Sequence, residues 1–146
     1  MGIKYSWKKG SRNSVPAQVF GEVLESLPEV TAAALVDASR PENAPTHKMF
    51  DWNDESAAEK YRQQQARVYI GAICVEYETA KEPQRAYFNI YEGDAEYRAI
   101  AVIKDSEEDT QALLDLALRE LRTFRNKYAI LKKELADVFA AIDAAS

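Results

Sequence analysis

At 146 residues, with 47% hydrophobic and 29% charged residues, the chain has the make-up of a soluble globular protein, one domain or one domain with an appendage. Its single cysteine, Cys74, excludes an internal disulfide, and no run approaches the roughly 18 apolar residues of a membrane span. The net charge of −5 sits in the middle: residues 1–50 and 111–146 each carry six Lys/Arg against five Asp/Glu, whereas residues 51–110 carry seven against fourteen. Such an acidic middle repels phosphate backbones, so any nucleic-acid contact is expected from the ends.

The opening MGIKYSWKKGS has charge but no apolar stretch behind it, unlike a secretory leader. Lys4, Lys8, Lys9 and Arg12, interleaved with Tyr5 and Trp7, read as a basic arm able to lie along a phosphate backbone. The competing reading is a solvated terminus with Trp7 tucked into the core.

Pro16, preceded by Ser14 as a cap, opens a helix with Val19, Phe20, Val23, Leu24 and Leu27 on one face, which Pro28 ends. Thr31 is an N-cap for a second short helix through Ala34, Leu35, Val36 and Ala38. The pair is helix-turn-helix-like, and Arg40 at its end joins the candidate nucleic-acid contacts. The second helix lacks the Arg, Asn and Gln that read base edges, which favours a packing corner over a recognition helix.

The loop RPENAPTHKMFDWN follows, and within it His47, Phe50 and Trp52 read as a structural joint: the rings anchor the loop and His47 donates a hydrogen bond. Asn53 or Asp54 then caps a central helix from about Glu55 to Ile73. Its inner face is expected to hold Ala58, Tyr61, Gln65, Tyr69 and Ile73, with Arg62 on the outer side. ICVEYET, RAYFNIY and YRAIAVI, separated by AKEPQ and EGDAE, alternate as the strands of a small antiparallel meander. Beyond Asp105 or Ser106 as a cap, apolar residues recur at spacings of three and four: Leu114, Ala117, Leu121, Phe124, Tyr128, Leu131, Leu135, Val138 and Ile142. That heptad seam predicts one long helix to about Ala144, packed on its own domain at one end and pairing subunits, coiled-coil fashion, along the rest; the alternative is an ordinary amphipathic helix lying on the sheet. Glu120 and Arg125 suit an interchain ion pair, while Lys127 and Lys132 oppose a parallel dimer. The expected fold class is α+β: a globular domain over residues 1–104, then an oligomerisation helix over 105–146.

Little points to catalysis. His47 and Cys74 fit no zinc spacing, and Cys74 lies in an apolar run that suits a core residue better than a nucleophile. The five glycines form no phosphate loop. Glu76, Glu78 and Lys81 are of the residue types a metal-dependent nuclease uses, a distant third reading beside the solvated face of a strand. Tyr87, Tyr91 and Tyr97 could stack on bases, but their acidic neighbours favour packing.

The stretch APTHKMFDWNDESAAEKYRQQQAR resembles small bacteriophage and prophage proteins of uncharacterised function. The matching residues are Pro45, His47, Phe50, Asp51, Trp52, Asp54, Ala57, Ala58, Tyr61, Arg62, Gln65, Ala66 and Arg67; AALVDASRPENAP and KYAILKKELADVFAAID are also similar. Thr46 stands where that pattern has leucine, a departure expected to loosen local packing. The resemblance implies a phage origin, in the cytoplasm of a bacterial host or in the particle, and no defined activity. The leading expectation is a non-enzymatic homo-oligomer, DNA-associated through its N-terminal helical corner and arm. The alternative is an assembly or host-factor-binding protein that meets a phage or host protein. No cofactor, metal or membrane enters either reading.

Overall fold

The computed structural model describes residues 2–11, 13–53 and 58–145. The fold is α+β, and the chain divides into two compact units, residues 1–100 and 101–146.

The first unit opens not with an arm but with a strand. β1 (Lys4–Trp7) pairs antiparallel with β2 (Ile73–Glu76), in the register Lys4 opposite Glu76 and Trp7 opposite Ile73. Alternation decides this: Tyr5 and Trp7 point to one face, where they join the core, and leave Lys4 outside. α1 (Ala17–Ser26) buries Phe20, Gly21 and Leu24 and packs on β1. Gly21 is required there, because a Cβ would sit 2.1 Å from Cδ2 of the buried Tyr5 ring. Pro16 itself takes the N-cap position of α1, without a side-chain cap bond from Ser14. α2 (Ala32–Ser39) is capped as expected, with Thr31 Oγ1 accepting from Ala34 N at 3.0 Å.

The two helices of the helix-turn-helix-like pair therefore both form. Each docks principally on another element, however: α1 on β1, and α2 on α3 (Ala58–Ala72). The cap expected at Asp54 lies outside the described residues. α3 is turned by one position from the expected face. Arg62, Ala66 and Ile70 are buried, whereas Tyr61 and Val68 are more than half exposed. The cause is a buried cation used as an anchor, described below, which a hydrophobicity pattern places outside.

α3 runs directly into β2, whose Ile73, Cys74 and Val75 are all buried, so both faces of this central strand are covered. The meander is shorter than expected. β3 (Gln84–Arg85) pairs with β2, and β4 (Tyr87–Phe88) pairs with β5 (Arg98–Ala99), all antiparallel. Ala86 joins the two small sheets: its N–H donates to Ile73 O (3.0 Å) and its carbonyl accepts from Ile100 N (2.9 Å). With β4 ended after two residues, the ladder of the third expected strand stops at the Ile100 N bond to Ala86 O. The backbone satisfies itself instead as the short helix α4 (Ile100–Lys104). The core gathers Phe20, Leu24, Leu35, Val36, Ile70 and Ile73 between these elements.

In the second unit, Ser106 caps α5 (Glu107–Lys127) by accepting from Asp109 N at 3.1 Å. The single long helix predicted from the heptads is not formed. After a 3-10 turn at Ala129–Leu131 the chain reverses into α6 (Ala136–Ala145), which packs back on α5. Arg125 and Asp143 would lie about 27 Å apart along one helix, yet Nε and Oδ1 are 2.6 Å apart. Arg125 thus takes an intrachain partner in place of the interchain one expected with Glu120, and its guanidinium also lies over the Phe139 ring at 5.3 Å. No glycine or proline marks the reversal. It is favoured by burying Phe139 and Ile142, which a lone extended helix leaves in water.

Candidate interaction surface

The residues expected to touch nucleic acid are dispersed in role. Lys4 Nζ is 2.9 Å from Glu76 Oε2, and this contact raises the lysine pKa. Trp7 is half-buried on Phe20 (centroids 4.9 Å apart), and its Nε1 donates to Val15 O at 2.8 Å. Arg40 Nη2 is held by both oxygens of Glu59 (2.9 and 3.1 Å) and by Asp37 (3.1 Å). Lys8 and Lys9 are exposed at the end of β1, and Arg12 lies outside the described residues.

His47, Phe50 and Trp52 do form a joint, and its parts are bonded throughout. A ring nitrogen facing a carbonyl must donate, so His47 Nδ1 donates to Ser39 O at 2.9 Å. The His47 ring stacks on Trp52 at 5.0 Å and 4°, and Trp52 Nε1 donates to His47 O at 2.7 Å. Phe50 packs against both Trp52 and Tyr69, whose hydroxyl donates to Met49 O at 2.7 Å. Arg62, 3% exposed, completes the joint. Its Nε donates to Asp51 O (2.5 Å), its Nη2 donates to Asn53 O (3.2 Å), and its guanidinium lies 4.7 Å from the Trp52 ring. Thr46 does not loosen this region: it is fully buried and shares a 2.5 Å hydrogen bond with Ser39 Oγ. Sequence reasoning missed Arg62 as part of the joint. The available signal was its place one helical turn and more after FDWN, within reach of the loop's carbonyls.

Among the described residues of this unit, those considered for catalysis are not brought together. Cys74 is buried, and burial pushes its thiol pKa up, away from thiolate reactivity. His47 is committed to Ser39 and Trp52. Glu76 serves Lys4, while Glu78 and Lys81 are exposed. Among the described residues no group of three His, Cys, Asp or Glu is placed to hold a metal ion. Tyr87 is buried, Tyr91 lies under Arg98 at 4.6 Å, and Tyr97 lines a shallow cavity of about 330 Å3 with Thr31, Gln63, Arg67, Asn89 and Asp94.

The second unit presents an apolar stripe on α5. α5 is amphipathic over 21 residues, yet none of its residues is buried. Leu114, Leu121 and Phe124 with Tyr128 just beyond are 49%, 41%, 39% and 36% exposed. At about 100° per residue they fall within an arc of about 80°, a single stripe. Phe124 and Tyr128 touch at 5.0 Å between centroids. Leu131 and Val138 are exposed as well, Leu135 is half-buried and Ile142 is buried. The predicted seam is thus divided by the reversal: its first half remains a stripe facing solvent, and its last member is consumed within the hairpin.

Among the described residues no helix is long and apolar enough to cross a membrane. No family model matches the chain, nor does any curated protein or solved structure.

Proposed function

We propose that the protein is a non-enzymatic interaction protein of bacteriophage type that works by self-association through its C-terminal helical hairpin. The supporting observation is the α5 stripe: an amphipathic helix on which Leu114, Leu121 and Phe124, with Tyr128 just beyond its end, stay partly exposed within one unit. Covering a half-exposed Leu or Phe is worth about 1 kcal/mol, so a stripe of four favours association by several kcal/mol before ordering costs. The phage setting rests on the resemblance around His47–Arg67. The non-enzymatic reading rests on a buried Cys74 and on a His47 whose Nδ1 is bonded to Ser39 O and whose ring is stacked on Trp52.

Light scattering over a concentration series tests it. The wild type is expected to have the mass of a dimer or larger, and Leu121→Glu that of a monomer with an unchanged circular dichroism spectrum. Equal masses for the two overturn the reading. DNA association is the second reading, carried by the exposed Lys8 and Lys9. It stands second because Lys4 and Arg40 are already paired with carboxylates. A gel shift of duplex and single-stranded DNA at low and moderate salt decides it, and absence of retardation at low salt removes it.

A further inference from the structure

We infer that α6 exchanges between two copies of the chain. The turn straightens, α5 and α6 become one helix, and each α6 packs on α5 of the other copy as it packs here on its own. This rests on the self-association reading and specifies its mode. Three features carry it. The first is the contact itself. The fold shows what fits α5 on the side of Arg125, because α6 lies there. Arg125 Nη2 donates to Asp143 Oδ2 at 2.9 Å, the guanidinium lies over the Phe139 ring at 5.3 Å, and Phe139 and Ile142 are buried. A second copy brings an identical α6, so exchange keeps each of these contacts and needs no new complementary surface.

The second feature is the turn. Residues 128–135, YAILKKEL, hold no glycine, proline or asparagine to stop a helix, and Ala, Leu, Lys and Glu are among the best helix formers. Its backbone already follows right-handed turns: Leu131 N donates to Tyr128 O (2.8 Å), Leu135 N to Leu131 O (2.8 Å) and Phe139 N to Leu135 O (2.9 Å). Among the described residues only glycines have positive φ. Tyr128, at φ −106° and ψ 25°, reaches helical values without crossing a forbidden region. The bend is thus held by α6 on α5, a contact that exchange preserves. The third feature is register. Arg125 meets both Phe139 and Asp143, which sets the middle of the antiparallel pair at residues 132–134. The apolar seam is symmetric about residue 133: Phe124, Tyr128 and Leu131 stand as far before it as Ile142, Val138 and Leu135 stand after it. Two straight helices crossing there antiparallel set seam on seam, and Leu131, 38% exposed at the turn, comes level with Leu135 of the other copy. Lys132 meets its own copy beside the axis, a repulsion between exposed side chains that salt screens over about 8 Å.

The test uses the full-length chain carrying Arg125→Cys and Asp143→Cys together, separated by size into monomer and dimer and treated with a short bismaleimide. Buried Cys74 makes the wild type the silent control. On a denaturing gel the monomer fraction is expected to link within the chain and run as a monomer. The dimer fraction is expected to link between chains and run as a covalent dimer. A dimer fraction that links within its chains overturns exchange but leaves self-association standing. Lys133→Gly is the second measurement, since it weakens a straight helix at an exposed position in both copies. By light scattering it is expected to lower the dimerisation constant about tenfold. Dimerisation as tight as wild type overturns the straightened turn. A wild type that stays monomeric at every concentration overturns both this inference and the functional reading beneath it.

Discussion

Arg62→Met isolates what a buried guanidinium does in the joint between α2 and α3. Methionine keeps an unbranched apolar stem, so the packing of the side chain's methylenes survives and the charged head is lost. The hydrogen bonds to the loop carbonyls disappear, from Nε to Asp51 O at 2.5 Å and from Nη2 to Asn53 O at 3.2 Å. Each such bond from a charged donor is worth about 1.5–3 kcal/mol, and the contact with Trp52 at 4.7 Å adds about 0.5–2 kcal/mol. The Glu59 partner is 44% exposed and contributes little. Because these terms share one group they do not add fully, and the expected loss is about 3–5 kcal/mol. Arg40→Gln is the matched comparison. Arg40 also binds Glu59 and also lies over Trp52, at 5.6 Å, but its side chain is 45% exposed, and its loss is expected to cost less than about 1 kcal/mol. Urea unfolding followed by tryptophan fluorescence reads both, since Trp7 and Trp52 lie within residues 1–100 and report that unit. If Arg62→Met costs no more than Arg40→Gln, the argument that burial makes Arg62 the anchor is wrong.

Gly21→Ala is expected to destabilise by about 1–3 kcal/mol despite alanine's better helix propensity, because the added Cβ meets the Tyr5 ring; a gain in the urea midpoint would contradict the close approach. Stability is expected to fall in alkali. Burial raises the pKa of Tyr5, Tyr69 and Tyr87 above the ordinary value near 10, so the unfolded chain releases these protons first and stability, full below about pH 10, is lost above it. Absorbance at 295 nm should show these tyrosines ionising later than the exposed ones, and a single transition near pH 10 for all eight would refute it. Cys74 should react with a thiol reagent at neutral pH only as the first unit unfolds, so labelling as fast in buffer as in urea would place it at the surface.

Local patterns were legible in the sequence where one residue acts on its neighbours. Thr31 and Ser106 cap the helices they precede, Pro28 lies just past the end of α1, and the α+β class follows from the order of periodicities. The rings of Phe50 and Trp52 and the hydrogen bond of His47 in the joint were equally visible, because an isolated aromatic cluster beside prolines has few other uses. What escaped depends on partners distant in the chain. Lys4–Trp7 is a strand only because β2, about seventy residues on, offers a ladder, and Arg62 turns inward only because the loop's carbonyls wait there. The heptads of residues 114–142 fix that an apolar stripe exists but not what covers it. A helix cannot tell from its own period whether its face will meet another subunit or its own returning chain. The reversal after Tyr128 decides it by geometry for the last part of the face alone, since folding back buries Phe139 and Ile142 and pairs Arg125 with Asp143, at the cost of a few helical hydrogen bonds, and leaves Leu114, Leu121, Phe124 and Tyr128 partly exposed.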